Sequence, residues 1–180
     1  LTPSASSSSV TENKDNVFQM CFTDPNQGKT AADYISANMS GKKVGVIYNS
    51  SDAYSTGIVD GFKAEAAVVG LSVVAYEAFP SDDTANFDTQ IKACMNAGAD
   101  LVFLPIYYTP ASLILSQSKA LNYAPLFFGC DGLDGIDSAI EGFNINTIPQ
   151  EVSYLSHFNQ TVTTGATGEF KISPKRGESN

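Results

Sequence analysis

Two textures alternate along this chain. The first is the short, continuously apolar run bounded by polar or turn residues, of which DLVFLPIYY from Asp100 to Tyr108 and PLFFGCDG from Pro125 to Gly132 are the clearest cases. A strand buried on both faces of a parallel sheet reads this way. The second is the amphipathic helical stripe. Phe87, Ile91, Cys94 and Met95 fall at i, i+4, i+7 and i+8, and Ile58, Phe62, Ala66 and Val69 repeat the pattern. Strands are expected near Val17 to Phe22, Val44 to Tyr48, Ser72 to Ala78, Leu101 to Ile106 and Pro125 to Phe128. Helices are expected over Pro25 to Met39, Tyr54 to Val69, Ala85 to Ala97 and Thr109 to Leu121.

The punctuation agrees with this pattern. Asp24-Pro25 and Thr109-Pro110 each set a capping side chain before a proline at the first helical position, and Gly41, Gly70 and Gly98 follow helix ends. Strict β-α-β alternation implies parallel strands and a three-layer, Rossmann-like α/β sandwich, a mostly parallel sheet with flanking helices. After Gly142 the alternation stops. Gln150 to Phe158 reads as a further strand, and Gly168 to Ser173 alternates with period two before a turn over Pro174 to Gly177. The expected organisation is a serine-rich hinge or tether over 1–16, a lobe over 17–158, and over 159–180 a polar linker with a strand and turn returning to the same lobe.

Both apolar runs give way to polar residues at their carboxyl ends, Tyr107, Tyr108 and Thr109 after one and Asp131 after the other. In open α/β sheets ligands bind just outside those ends. Tyr54 follows an earlier strand in the same way. Aromatic walls with one carboxylate suit a small ligand that carries an amine.

Composition narrows the field. The 180 residues make one domain, or one domain with tails, and 10 basic against 19 acidic residues leave a net charge of −9. That balance argues against nucleic acid or an anionic membrane as partner. With no apolar run near ~20 residues and no signal-peptide pattern, the expectation is a cytosolic chain or a mature, cut piece of an exported protein. Cys21, Cys94 and Cys130 fit no zinc or CxxC spacing and read as small buried hydrophobes, with Cys21 placed in a strand.

Other motifs fail on spacing. DPNQGKT, from Asp24 to Thr30, has Thr23 where a phosphate loop needs its first glycine. Asp131, Asp134 and Asp137 are spaced by three residues rather than by the two of a calcium loop, and no terminal glutamate follows. His157 is the only histidine, and no nucleophile arrangement converges on it. The sequons at Asn38, Asn49 and Asn159 imply nothing without a glycosylating route. No metal, cofactor or catalytic group is expected.

The segments TPSASSSSVTENKDNVFQMCFTDPNQGKTAADYI, YNSSDAYSTGIVDGFK, DTANFDTQIKACMNAGADLVFLPIYYTPA and APLFFGCDGLDG together resemble the second lobe of the type I periplasmic binding proteins. The nearest branch is the leucine/isoleucine/valine-binding group that serves bacterial ABC importers. The resemblance runs from about Leu1 to Phe158, with TTGATGEFKISPKRG similar to a late segment of the same lobe. It implies a substrate-binding component for amino acids, branched-chain or related, located in the periplasm or at the bacterial cell surface. It matches Ser4, Ala5 and Ser6 to the hinge segment that holds the ligand's α-carboxylate, Tyr54, Tyr107 and Tyr108 to the tyrosines at the strand ends, and Asp131 to the acid that receives the α-ammonium. Relatives often carry glutamate at that last position.

The resemblance also implies partners. A first lobe is missing from this chain, an ABC permease would serve the parent protein, and the exposed mouth and strand edges favour self-association of the lone lobe, which is expected to bind weakly. Two other classes, a small-molecule-sensing regulatory domain and a flavodoxin-like enzyme domain, share the sheet but lack here the residues they need. A receiver would require an acidic pair where Asp24 is followed by proline, and an enzyme would require a nucleophile or cofactor loop at a strand end.

Overall fold

The computed structural model describes residues 1–81, 83–138 and 141–156. Five strands, β1 (Lys43–Asn49), β2 (Ser72–Phe79), β3 (Leu101–Leu104), β4 (Leu126–Gly129) and β5 (Val152–Tyr154), form one sheet in the order β2-β1-β3-β4-β5. Every pairing is parallel, as the alternation requires. The helices α1 (Asp24–Asn38), α2 (Ala53–Val69), α3 (Asp88–Asn96) and α4 (Tyr108–Ala120) cover both faces.

Side-chain direction in the central strands sorts the core into two layers. Val44 and Val46 of β1 and Leu101 and Phe103 of β3 face α1 and α2, where they meet Ile35, Ile58 and Phe62. Ile47, Val102 and Leu104 point the other way, onto Ile91 and Cys94 of α3 and Ile114 and Leu115 of α4. A strand with both faces covered has no polar side to show, and for this reason β3 is buried at all four positions. Pro105, which has no N–H for the ladder, follows its last residue and cuts the strand shorter than its apolar run.

Close approach of α1 and α2 depends on glycine. A Cβ at Gly28 would lie 2.0 Å from the carbonyl oxygen of Ile58, and one at Gly61 would lie 2.3 Å from that of Pro25. The two helices touch backbone to backbone, and a methyl group at either position meets atoms that no rotamer change can move.

Several expectations need correction. Val17 to Phe22 is not a strand; the region makes only an isolated parallel bridge between Thr2 and Gln19, and Phe18 and Met20 are 64% and 71% exposed because no layer covers them. Cys21 accordingly lies outside any strand and is partly buried, with its thiol donating to the carbonyl of Ala5 at 3.3 Å. Cys94 and Cys130 are buried as expected, and burial pushes the Cys94 thiol up to about 12. Neither Asp24 nor Thr109 caps its helix. Thr23 and Tyr107 occupy the cap positions without side-chain cap bonds, because Asp24 is drawn inward and already belongs to the helix.

The working cap is Asp52, whose carboxylate accepts from the amides of Tyr54 at 3.3 Å and Ser55 at 3.1 Å at the start of α2. α3 begins three residues later than Ala85, since the Phe87 amide is bonded to Gln117 Oε1 at 2.8 Å rather than turned into a helix. Met95, placed on the inner face of α3 by its spacing, is 37% exposed near that short helix's end. Gly41, Gly70 and Gly98 do follow helix ends, with φ of 83°, 70° and 74°. His157, Phe158, Asn159, the 168–173 strand and the 174–177 turn lie outside the described residues.

Candidate functional site

The strand order reverses between β1 and β3. β1 continues through α2 to β2 on one side, while β3 leads through α4 to β4 on the other. Connections diverge at such a point and leave a crevice at the carboxyl ends of the two strands. Tyr54, in the first turn of α2, and Tyr107, immediately before α4, stand on its two sides. Their rings stack at 4.8 Å between centroids with 19° between planes. Tyr54 is buried, whereas Tyr107 and Tyr108 are 40% and 41% exposed.

Asp131, two residues beyond β4, completes the group. The Tyr54 hydroxyl donates to Asp131 Oδ1 at 2.7 Å and accepts from the Gly132 amide at 2.9 Å. Burial, then the neighbouring Cys130 and Asp131, raise the Tyr54 phenol well above its ordinary value, so it stays a neutral donor. Position 132 must be glycine for this arrangement: a Cβ there would sit 2.8 Å from both the Tyr54 hydroxyl oxygen and the Ile106 carbonyl oxygen. The carboxylate is thus held by a phenol on one side, and the Tyr54 hydroxyl ties it to the Gly132 amide that follows it.

Beneath this pair lies a layer that sequence reasoning missed. Gln27 and Asp24 are each 2% exposed. Gln27 Oε1 accepts from the Asp131 amide at 3.3 Å, and Gln27 also lines a groove of about 280 Å³ with Phe22, Asn26, Lys29, Thr30 and Leu155. The Asp24 amide donates to the Ser6 carbonyl at 3.0 Å, and the Ser6 hydroxyl bonds the Asp24 carboxyl in return. Ser6 is thereby tied to the first turn of α1. Ser4 and Ala5 are exposed, and Ala5 bonds Thr2, Gln19 and Cys21 rather than the tyrosine–aspartate group. The signal for the missed layer was the pairing of an acid and an amide three residues apart in DPNQ, which puts both on one helix face.

Burial raises the Asp24 carboxyl, the Ser6 bond lowers it, and the charges of Asp131 and Asp52 raise it further, for a net upward shift. Such a group binds its proton more tightly in the folded than in the unfolded chain. Its contribution to stability is full below the ordinary carboxylate value of ~3.9 and is lost as pH rises through the folded midpoint. Asp24→Asn, which cannot ionise, should remove that loss. Urea midpoints measured from acid to neutral pH should fall less steeply for the variant; parallel curves would show that Asp24 titrates normally.

The sequence model of the periplasmic binding protein family matches residues 1–171. A Leu/Ile/Val-binding protein homologue from Brucella melitensis is 32% identical over 146 residues, which are 80% of this chain and 39% of the relative. The substrate-binding protein of a branched-chain amino acid transporter from Streptococcus pneumoniae, solved in complex with isoleucine, superposes with a TM-score of 0.77 at 25% identity, over 91% of this chain and 45% of that one. A leucine-binding protein from Thermotoga maritima gives a TM-score of 0.77 at 21% identity, over 89% and 45%. This chain therefore spans less than half the length of these relatives.

Proposed function

Because this chain belongs to the periplasmic binding protein family, we propose that it is one lobe of the substrate-binding component of an ABC importer for an amino acid, branched-chain or related. The family is one of solute-binding proteins rather than of enzymes, and the proposed role involves no catalysis. The observation that carries the reading is the Tyr54–Asp131 bond under the stacked face of Tyr107, at the crevice where the strand order reverses. In this reading the tyrosines wall the ligand, with Tyr108 at the rim, and Asp131 receives the α-ammonium. Ser4, Ala5 and Ser6, in the 1–16 hinge segment, face the α-carboxylate. The lobe proper begins at 17, after that segment.

A complementary lobe would supply the other half of the polar contacts and exclude water by closing. Leu1, Phe18 and Met20, all strongly exposed, are apolar surface that such a lobe would cover, or that a second copy of the lone lobe would use. A permease and an extracytoplasmic location follow from the same reading. Alone, the lobe should bind weakly, since an open half-site stays solvated.

Titrating the labelled chain with leucine, isoleucine and valine, and with 4-methylpentanoate, which is leucine without its amine, tests the reading by NMR. Weak, saturable shifts at Tyr54, Tyr107 and Asp131 with the amino acids and none with the deaminated acid are expected. An unresponsive site at the solubility limit of all three amino acids would overturn it.

A further inference from the structure

The crevice at Tyr54 and Asp131 has a neighbour with a chemistry of its own. A groove of about 280 Å³ follows the first two turns of α1 and is lined, among the described residues, by Phe22, Asn26, Gln27, Lys29, Thr30 and Leu155. Gln27 is the informative member. It is 2% exposed, and its Oε1 accepts from the Asp131 amide at 3.3 Å, which fixes the oxygen end of the side chain and leaves the donor at the other end. That Nε2 is buried and has no acceptor. Buried donors are seldom left so, because an unmade bond keeps the whole cost of leaving water.

The other lining residues give the occupant its character. Asn26, Lys29 and Thr30 each bring a donor, Phe22 and Leu155 bring apolar surface, and none of the six is acidic, in a chain of net charge −9. Lys29 is paired with Glu65 at 3.1 Å, yet its side chain is 58% exposed, so its ammonium has room for a second partner. The α1 dipole is positive at this end as well. A carboxylate meets all of these conditions, whereas an ammonium would meet a lysine and no acid. We propose that the groove is a second binding site, separate from the crevice, for a small monocarboxylate with a short apolar tail. Its carboxylate accepts from Gln27 Nε2 and Lys29, with the exposed Asn26 at the rim, and its tail lies against Phe22 and Leu155. Nε2 is closed to bulk water, so the lining opens slightly as the carboxylate reaches it. A zwitterionic amino acid is selected against here, because its own ammonium would sit beside Lys29. The assignment does not rest on the amino-acid reading of the crevice.

NMR titration of the labelled chain with 2-methylpropanoate tests the site, against 2-methylpropanamide, 2-methylpropylamine and sodium chloride at matched ionic strength. The signals read are the Gln27 side-chain amide, the Lys29 ε-methylene and the Leu155 methyl groups. Saturable shifts are expected with the acid, weaker ones with the neutral amide, which keeps an acceptor, and none with the amine or with chloride alone. Lys29→Met, at an exposed position, should weaken binding of the acid by about two- to fivefold, the worth of a solvated charge pair, and leave the amide unaffected. Gln27→Met, which keeps the volume and deletes the donor, should weaken both. Groove signals that stay still with the acid overturn the proposal, as do shifts that chloride reproduces or an equal response to acid and amine. Should Gln27→Met lose its fold, the exposed variant decides alone, and unchanged affinity of Lys29→Met for the acid overturns the carboxylate assignment. The crevice is read separately, through the Tyr54 and Tyr107 rings with leucine, so either site can fail without the other.

Discussion

Asp131→Asn, placed in a two-lobed protein carrying this segment, is expected to lower affinity for its amino acid by at least about tenfold. A charge-assisted hydrogen bond between a carboxylate and an ammonium is worth ~1.5–3 kcal/mol, and ~1.4 kcal/mol is a factor of ten. The substitution isolates that term. An asparagine Oδ1 still accepts from the Tyr54 hydroxyl, which now donates at 2.7 Å, so the local geometry survives while the charge is removed. Tyr107→Phe keeps the ring stacked on Tyr54 and gives up only a hydroxyl, for ~0.5–1.5 kcal/mol if a neutral bond to ligand is lost. Calorimetric titration fixes the order of the two effects. Equal affinity of Asp131→Asn and the unaltered protein would mean that no ammonium is held there.

Phe103→Ala should destabilise the chain by ~3–5 kcal/mol, a large share of the ~5–15 kcal/mol that holds an ordinary domain folded. Phe103 sits fully buried on β3, between β1 and β4. Its ring stacks on Phe62 of α2 at 4.5 Å and meets Phe128 of β4 at 6.3 Å, and Phe128 in turn stacks on Tyr34 of α1 at 5.4 Å. Four rings thus run from one helix through two strands to the other, and removing Phe103 from among them leaves a void that rigid neighbours cannot fill. Met95→Ala, at a side chain 37% exposed on the opposite layer, should cost much less. Urea unfolding of the two variants decides it; comparable losses would show that the ring stack carries no special weight.

The strands were legible where burial on both faces left no room for polar residues, as in β3 and β4, and the helices where one face had to be apolar. Val17 to Phe22 misled because its hydrophobicity is real but its burial is not; a pattern shows what a segment needs, not whether a layer exists to supply it. Asp24 and Thr109 have the chemistry of caps, yet which residue caps is settled by where the preceding chain arrives, and Ser6 arrives at Asp24.

The site was half legible for the same kind of reason. Connectivity places Tyr54, Tyr107 and Asp131 each at a strand mouth. That Tyr54 touches both others follows from β1 lying beside β3 and β3 beside β4, a lateral order that periodicity does not encode. Gln27 was hidden because the bond it accepts from the Asp131 amide crosses 104 residues of sequence, and Asp24 because its partner Ser6 lies in the irregular segment before α1.

The glycine contact between α1 and α2 has a mechanical meaning. Interfaces built from side chains can yield, because rotamers absorb small displacements before the backbone feels them. Gly28 and Gly61 leave nothing between the two backbones to yield, so the helix pair is a stiff coupling rather than a cushion. One end of it is fastened to the N-terminal segment through Ser6 and Asp24, and the other shaft begins at Asp52 and Tyr54. A tug on that segment is transmitted to the tyrosine at the crevice with little slack, as torque passes through meshed gears.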